Sequence, residues 1–126
     1  MAITNQKTRD ILYIDDDPNW TVILPELGKI LGFNIISTCS VDKCLSIIDK
    51  NDDLSLFITD IRMANTSGYD LIKEIRRRIP DIPVMIITGY KTDKLNEFVK
   101  QYAVDSVLLK PFSVVELQEA LNKIVL

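Results

Sequence analysis

Histidine is absent from the 126 residues. That absence excludes a histidine-based catalytic triad, a histidine-ligated metal and a phosphohistidine carried by this chain. Cysteine is scarce. Cys39 and Cys44 are the only two, and they flank an expected strand-to-helix junction, so they make neither a disulfide framework nor a zinc pattern. Both read as reduced, partly buried thiols of a cytoplasmic protein. No apolar stretch reaches the length of a membrane span. The opening residues, MAITNQKTRD, hold no apolar core of a signal peptide. Glycine occurs four times and never as G-x-x-x-x-G-K-[ST] or G-x-G-x-x-G, so no glycine-rich phosphate loop is present. Excess positive charge is also lacking: the net charge is −3, which argues against direct nucleic-acid binding. The one basic run, Arg76-Arg77-Arg78, reads as a solvated helix face.

What the chain does have is alternation. Hydrophobic residues make up 47%, enough at this length for one domain with a real core. Residues 1–9 read as a frayed terminus and 10–126 as a single domain. Short apolar runs at 11–14, 33–37, 56–59, 83–87 and 106–109 read as strands. Each is followed by a stretch with apolar residues at helical spacing. Asp17-Pro18 is a good helix start, and Trp20, Leu24, Leu27 and Leu31 give that first helix its stripe. Pro25 inside it predicts a kink or a late start. The second helix, 41–50, turns Val41, Leu45 and Ile48 inward. The third follows Gly68, buries Leu71, Ile72, Ile75 and Ile79, and stops before Pro80. The fourth, about 92–102, carries Leu95, Phe98, Val99 and Tyr102, and its polarity predicts the loosest packing. The fifth opens on Ser113 with Glu116 three residues on, a capping box, and carries Val114, Leu117, Leu121 and Ile124. Strands that are apolar throughout, alternating with helices, imply a doubly wound α/β fold with a parallel sheet covered on both faces.

In such a sheet all the C-terminal strand ends lie on one edge, where ligands bind. That edge would carry Asp15-Asp16 from the first strand, Asp60 from the third, Thr88 from the fourth and Lys110 from the fifth. Right-handed crossovers place the first and third strands side by side, so three carboxylates crowd one pocket. Crowded like charges repel, and the natural compensation is a hard divalent cation, Mg²⁺ or Mn²⁺, with phosphate oxygens in its remaining positions. Asp60 could then act as nucleophile toward a phosphoryl group. The metal and Lys110 would offset charge, and the Thr88 hydroxyl would meet a phosphoryl oxygen. Asp17 reads as a helix cap only.

These residues resemble the receiver domain of bacterial two-component response regulators over nearly the whole chain, 10–125. The match rests on the acidic pair Asp15-Asp16, a D-x-x-M loop from Asp60 closing on Gly68, Thr88 after the fourth strand, and Lys110-Pro111-Phe112 after the fifth. The resemblance implies a flavodoxin-like (βα)5 fold with strand order 2-1-3-4-5. It implies that Asp60 is the phosphoacceptor, served by a phosphohistidine on a partner histidine kinase or phosphotransfer protein. Asp16, Asp60 and the Arg62 backbone carbonyl resemble the direct Mg²⁺ ligands, with Asp15 binding through water. Thr88 and Lys110 resemble the switch hydroxyl and its charge partner, and the Lys110–Pro111 bond is expected to be cis. Arg62 and Tyr90 occupy positions that, by the same resemblance, flank the attacking water. The face made by the fourth helix, fifth strand and fifth helix is the one expected to switch, meeting an effector domain or a second copy.

Three residues depart from that family's pattern. Ala64 stands where proline is usual, Val107 where the family carries a switch aromatic, and Pro25 is unusual in the first helix. Two other functions compete. One is a receiver-like interaction domain that is never phosphorylated. The other is a haloacid-dehalogenase-type phosphatase, suggested by Asp15-x-Asp17 but opposed by Asn19 and by the lack of a cap domain. No effector segment follows the fifth helix, which fits a stand-alone receiver and a piece of a hybrid kinase or longer regulator equally.

Overall fold

The computed structural model of the chain describes residues 10–125. The expectation for residues 1–9 lies outside the described residues. Five strands, β1 (Asp10–Ile14), β2 (Asn34–Thr38), β3 (Leu54–Thr59), β4 (Val84–Thr88) and β5 (Ser106–Leu109), alternate with five helices. These are α1 (Pro18–Leu31), α2 (Val41–Lys50), α3 (Gly68–Arg78), α4 (Asp93–Gln101) and α5 (Val114–Val125). All strands pair in parallel in the order β2-β1-β3-β4-β5. This is the flavodoxin-like architecture expected from the sequence, with β2 and β4 each displaced by one residue.

Why the strands are apolar throughout is visible in their two faces. Successive strand residues point to opposite sides. Ile11 and Tyr13 join Leu24, Leu56, Ile58, Leu117 and Leu121 in the layer beneath α1 and α5. Leu12 and Ile14 join Phe57, Ile72, Ile75, Leu95 and Phe98 in the layer beneath α2, α3 and α4. Both layers are apolar apart from a few hydroxyls that find partners, so neither face of the sheet can hold an unpaired charge. Polar groups therefore collect at the strand ends. Among the described residues no helix is long and apolar enough to cross a membrane.

Three sequence expectations need correction. The first helix does not start late: it begins at Pro18, capped by Asp17, whose side chain accepts from Asn19 N at 2.9 Å, and it runs unbroken past Pro25. Proline has no N–H for the carbonyl of Thr21 one turn earlier. Ser37 of β2 replaces the missing donor, its hydroxyl lying 2.5 Å from that oxygen. The second correction concerns Val114, which is 42% exposed rather than inward. Ala120 takes its place in the α5 stripe with Leu117 and Leu121. The capping box itself forms, with Ser113 N donating to Glu116 and Glu116 N to the Ser113 hydroxyl.

The third correction is the basic run. Arg77 is solvated, but Arg76 is a clamp. Its guanidinium donates to the carbonyls of Ile82, Tyr102 and Ala103 and lies 3.8 Å from Asp105. It thereby ties α3 to the segments entering β4 and β5. Ala103 has a left-handed φ of 51°, a conformation that costs a non-glycine residue roughly 1 kcal/mol, and Arg76 holds its carbonyl. Arg78 bridges Glu74 and Asp49. In α4, Phe98 packs between Tyr69 of α3 and Tyr102 at ring distances of 4.6 and 4.4 Å.

The two thiols differ sharply: Cys39 is exposed and Cys44 is fully buried. Burial pushes the Cys44 thiol up to about 12 from its ordinary 9.0, against a small opposing effect of Arg78. A thiol reagent should therefore modify one cysteine in the native protein and the second only on unfolding. The pH dependence has a definite sign. The folded thiol stays neutral while the unfolded one ionises, so this contribution to stability is intact below pH 9.0 and declines as pH rises toward about 12. Between about pH 8 and about pH 10.5, Cys44→Ala should lose roughly 2 kcal/mol less stability than the parent, read from urea midpoints.

Candidate phosphoacceptor site

The sheet register builds the site. Ile14 of β1 lies opposite Thr59 of β3, and Asp60 N donates to Ile14 O at 3.2 Å. Asp15 and Asp60 therefore leave the sheet side by side. Thr88 of β4 lies opposite Leu109 of β5, and Lys110 N donates to Thr88 O at 2.8 Å. The lysine thus starts from the same edge, and the Lys110–Pro111 bond is cis.

The Lys110 ammonium donates to both acids, at 2.7 Å to Asp15 and 3.0 Å to Asp60. Asp15 is fully buried and also accepts from Asp17 N at 3.0 Å and from the Tyr13 hydroxyl. Asp60 accepts from Ile61 N at 2.6 Å on its other oxygen, and its side chain is 14% exposed. Asp60 is consequently the one of the two that an incoming group can reach.

Two carboxylates and one ammonium leave this cluster one negative charge in excess. Burial raises the Asp60 carboxyl above its ordinary value, with Asp15 adding to the rise and the Lys110 and Ile61 contacts opposing it. For Lys110 burial is the largest single influence and acts downward, but the bonds to Asp15 and Asp60 together outweigh it and hold the ammonium above its usual range. Tyr13 is raised by burial first and by Asp15 second, so its phenol stays a donor.

Of the expected site residues, then, Asp15, Asp60 and Lys110 converge and Thr88 is buried one strand away. The Thr88 hydroxyl accepts a long, 3.5 Å contact from Tyr90 N. Asp16 does not join them. It is exposed and accepts from the Ala64 N–H at 2.9 Å. Among the described residues no three acids or cysteines are gathered as they stand to hold a metal. The donor chemistry nonetheless suits one: the Asp15–Asp60 pair is all oxygen, negatively charged in excess and open on the Asp60 side, which fits Mg²⁺ or Mn²⁺. The Arg62 guanidinium lies 4.9 Å from the Tyr90 ring centre, so these two loop residues stack on each other beside the site.

Two contributors were missed from sequence because each read as core. Tyr13 shares a strand face with Asp15, two residues on, which is a signal available from strand alternation. Trp20 stacks on Phe112 at 5.0 Å and lies 5.1 Å from the Lys110 ammonium. A cation over an indole face is attracted to it, so the α1 stripe ends in the wall of the site.

Comparison with known proteins agrees with this fold. Residues 11–122 match the family model described as the response regulator receiver domain. The transcriptional regulatory protein ZraR of Salmonella typhimurium is 34% identical over 115 residues, covering 90% of this chain and 26% of its own length. The probable transcriptional regulator ycf27 of Cyanidium caldarium is 29% identical over 122 residues, covering 95% of this chain and 47% of its own. A receiver domain crystal structure from Clostridium thermocellum superposes with a TM-score of 0.85 at 27% identity, covering 93% of this chain and 94% of that one. The chain thus spans less than half the length of these two curated relatives.

Proposed function

The chain belongs to the response regulator receiver domain family, and on that premise we propose that it is a phosphoacceptor whose Asp60 takes a phosphoryl group from a phosphohistidine on a partner histidine kinase or phosphotransfer protein. The observation that carries this reading is the single ammonium of Lys110 bridging Asp15 and Asp60 at the strand ends. A carboxylate oxygen of Asp60 attacks phosphorus and the P–N bond to the donor imidazole breaks. The electron pair stays on the imidazole nitrogen, which takes a proton from solvent, and the product is an acyl phosphate. Lys110, desolvated and held charged, offsets negative charge on the transferring group. The Thr88 hydroxyl is the donor for a phosphoryl oxygen. Mg²⁺ or Mn²⁺, when bound by Asp15, Asp16, Asp60 and the Arg62 carbonyl, supplies further positive charge against the phosphoryl oxygens.

The Arg62–Tyr90 stack covers one approach to Asp60 and slows attack of water on the acyl phosphate. The output surface is the α4-β5-α5 face, where Leu109, Val114 and Val115 are exposed. It meets an effector domain or a second copy, in the cytoplasm, without direct nucleic-acid or membrane contact. Val107 packs against the layer that contains Leu95, Phe98 and Tyr102, so aliphatic packing fills the place of the switch aromatic.

Incubation with a small-molecule phosphodonor and Mg²⁺ should add one phosphoryl group by mass, removable with hydroxylamine and prevented by a chelator. An unchanged mass would leave the phosphorylation-free interaction domain. Rapid turnover of a generic phosphate ester would favour the phosphatase.

A further inference from the structure

The loop from Ile61 to Gly68 is closed at its base by Gly68 N donating to Ile61 O at 2.8 Å and by an antiparallel bridge between Arg62 and Ser67. Its tip is held elsewhere. Ala64 N donates to the Asp16 carboxylate, 48 residues away in sequence. Asp16 and Ala64 line an open cleft of about 380 Å³ on the α2 side, with Ser40, Asp42 and Met63. Neither Asp15 nor Asp60 lines that cleft. Asp16 is therefore bonded to the loop tip and not to the Lys110-bridged pair, although Asp15 and Asp16 are adjacent in the chain.

This contact depends on residue 64 having an N–H. Alanine has one and proline would not. We propose that the Ala64 N–H is a latch that competes with a divalent cation for the Asp16 carboxylate, and that metal loading releases the tip of the 61–68 loop. The proposal rests on the reading of Asp16 as a metal ligand. A hydrogen bond to an ionised acceptor is stronger than a neutral one. Withdrawing Asp16 from it weakens metal binding by about tenfold relative to a chain without the latch. Loading the site and freeing the loop become one equilibrium, because Asp16 is not gathered with Asp15 and Asp60 as it stands and must turn off the Ala64 N–H to share a cation with them.

The test is Mg²⁺ alone, titrated calorimetrically into the parent and Ala64→Pro, with amide hydrogen exchange at Ala64 followed by NMR in the parent. Ala64→Pro should bind Mg²⁺ about tenfold more tightly, and saturating Mg²⁺ should speed exchange of the Ala64 amide in the parent. Equal or weaker affinity in a folded Ala64→Pro would overturn the latch. So would an Ala64 amide whose protection is unchanged when Mg²⁺ binds, a readout that stands even if the proline variant misfolds. Failure of both proteins to bind Mg²⁺ would instead overturn the metal reading, and the latch with it.

Discussion

Gly68→Ala should cost the domain about 3 kcal/mol and slow phosphoryl transfer, whereas Gly89→Ala should change stability by less than about 0.5 kcal/mol. A Cβ at Gly68 would lie 2.1 Å from the Asp60 carbonyl oxygen and 3.0 Å from both the Asp60 carbonyl carbon and the Ile61 Cα. All three atoms are backbone, so no side chain can swing aside. Gly68 is the first residue of α3, capped by Ser67, whose side chain accepts from Asp70 N. It is needed for space and not for an unusual φ, since only Gly32 among the glycines has a positive φ. The added methyl must push α3 away from Asp60, the proposed phosphoacceptor. Gly89 has nothing within 4 Å of its would-be Cβ and serves as the control. Thermal melts of both variants, with the phosphorylation rate alongside, check this. An unaltered melting temperature for Gly68→Ala would mean that α3 does not need its close approach to Asp60.

Asp60→Asn should move function and stability in opposite directions. Phosphoryl incorporation from a small-molecule donor should fall to background, because an amide offers no carboxylate nucleophile. Stability at neutral pH should rise. Burial raises the Asp60 carboxyl, so the ionised group is less comfortable in the folded chain than in the unfolded one. For an acid with a raised folded value, stability is greatest below its ordinary 3.8 and declines as pH climbs through the raised value. Asparagine removes that decline while an amide oxygen still accepts from Ile61 N or Lys110. Lys110 also keeps its 2.7 Å bond to Asp15. Urea midpoints of both proteins across the acidic and neutral range check the sign. A variant less stable than the parent at neutral pH would show that the Lys110–Asp60 bond outweighs the cost of burial.

Much of this was legible from the sequence for a simple reason. The strand ends are the only places in a two-sided parallel sheet where a charge escapes the dry layers, so Asp15, Asp60, Thr88 and Lys110 announce themselves by following apolar runs. What was not legible depends on contacts between segments distant in the chain. Arg76 reads as one of three equivalent arginines, yet it alone meets the carbonyls of 82, 102 and 103, because it sits at the turn of α3 that faces those loops. Pro25 reads as a helix fault, and its repair by Ser37 needs α1 laid across β2. Val114 reads as core because it falls on the α5 stripe, but it stays exposed while Leu117, three residues on, is fully buried. Asp16 was grouped with Asp15 by adjacency. Asp15 is bridged to Asp60 by Lys110, whereas the Asp16 carboxylate is held by the Ala64 N–H, a contact that adjacency in the chain does not disclose.

Trp20 is the only tryptophan in the chain, and it rests against the ammonium that bridges the two acids. Indole emission responds to a charge held near the ring. The chain therefore carries an intrinsic optical probe whose ring centre lies 5.1 Å from that ammonium. Redistribution of charge around Lys110 registers as a change in ultraviolet fluorescence, without a label and without a second tryptophan to dilute the signal.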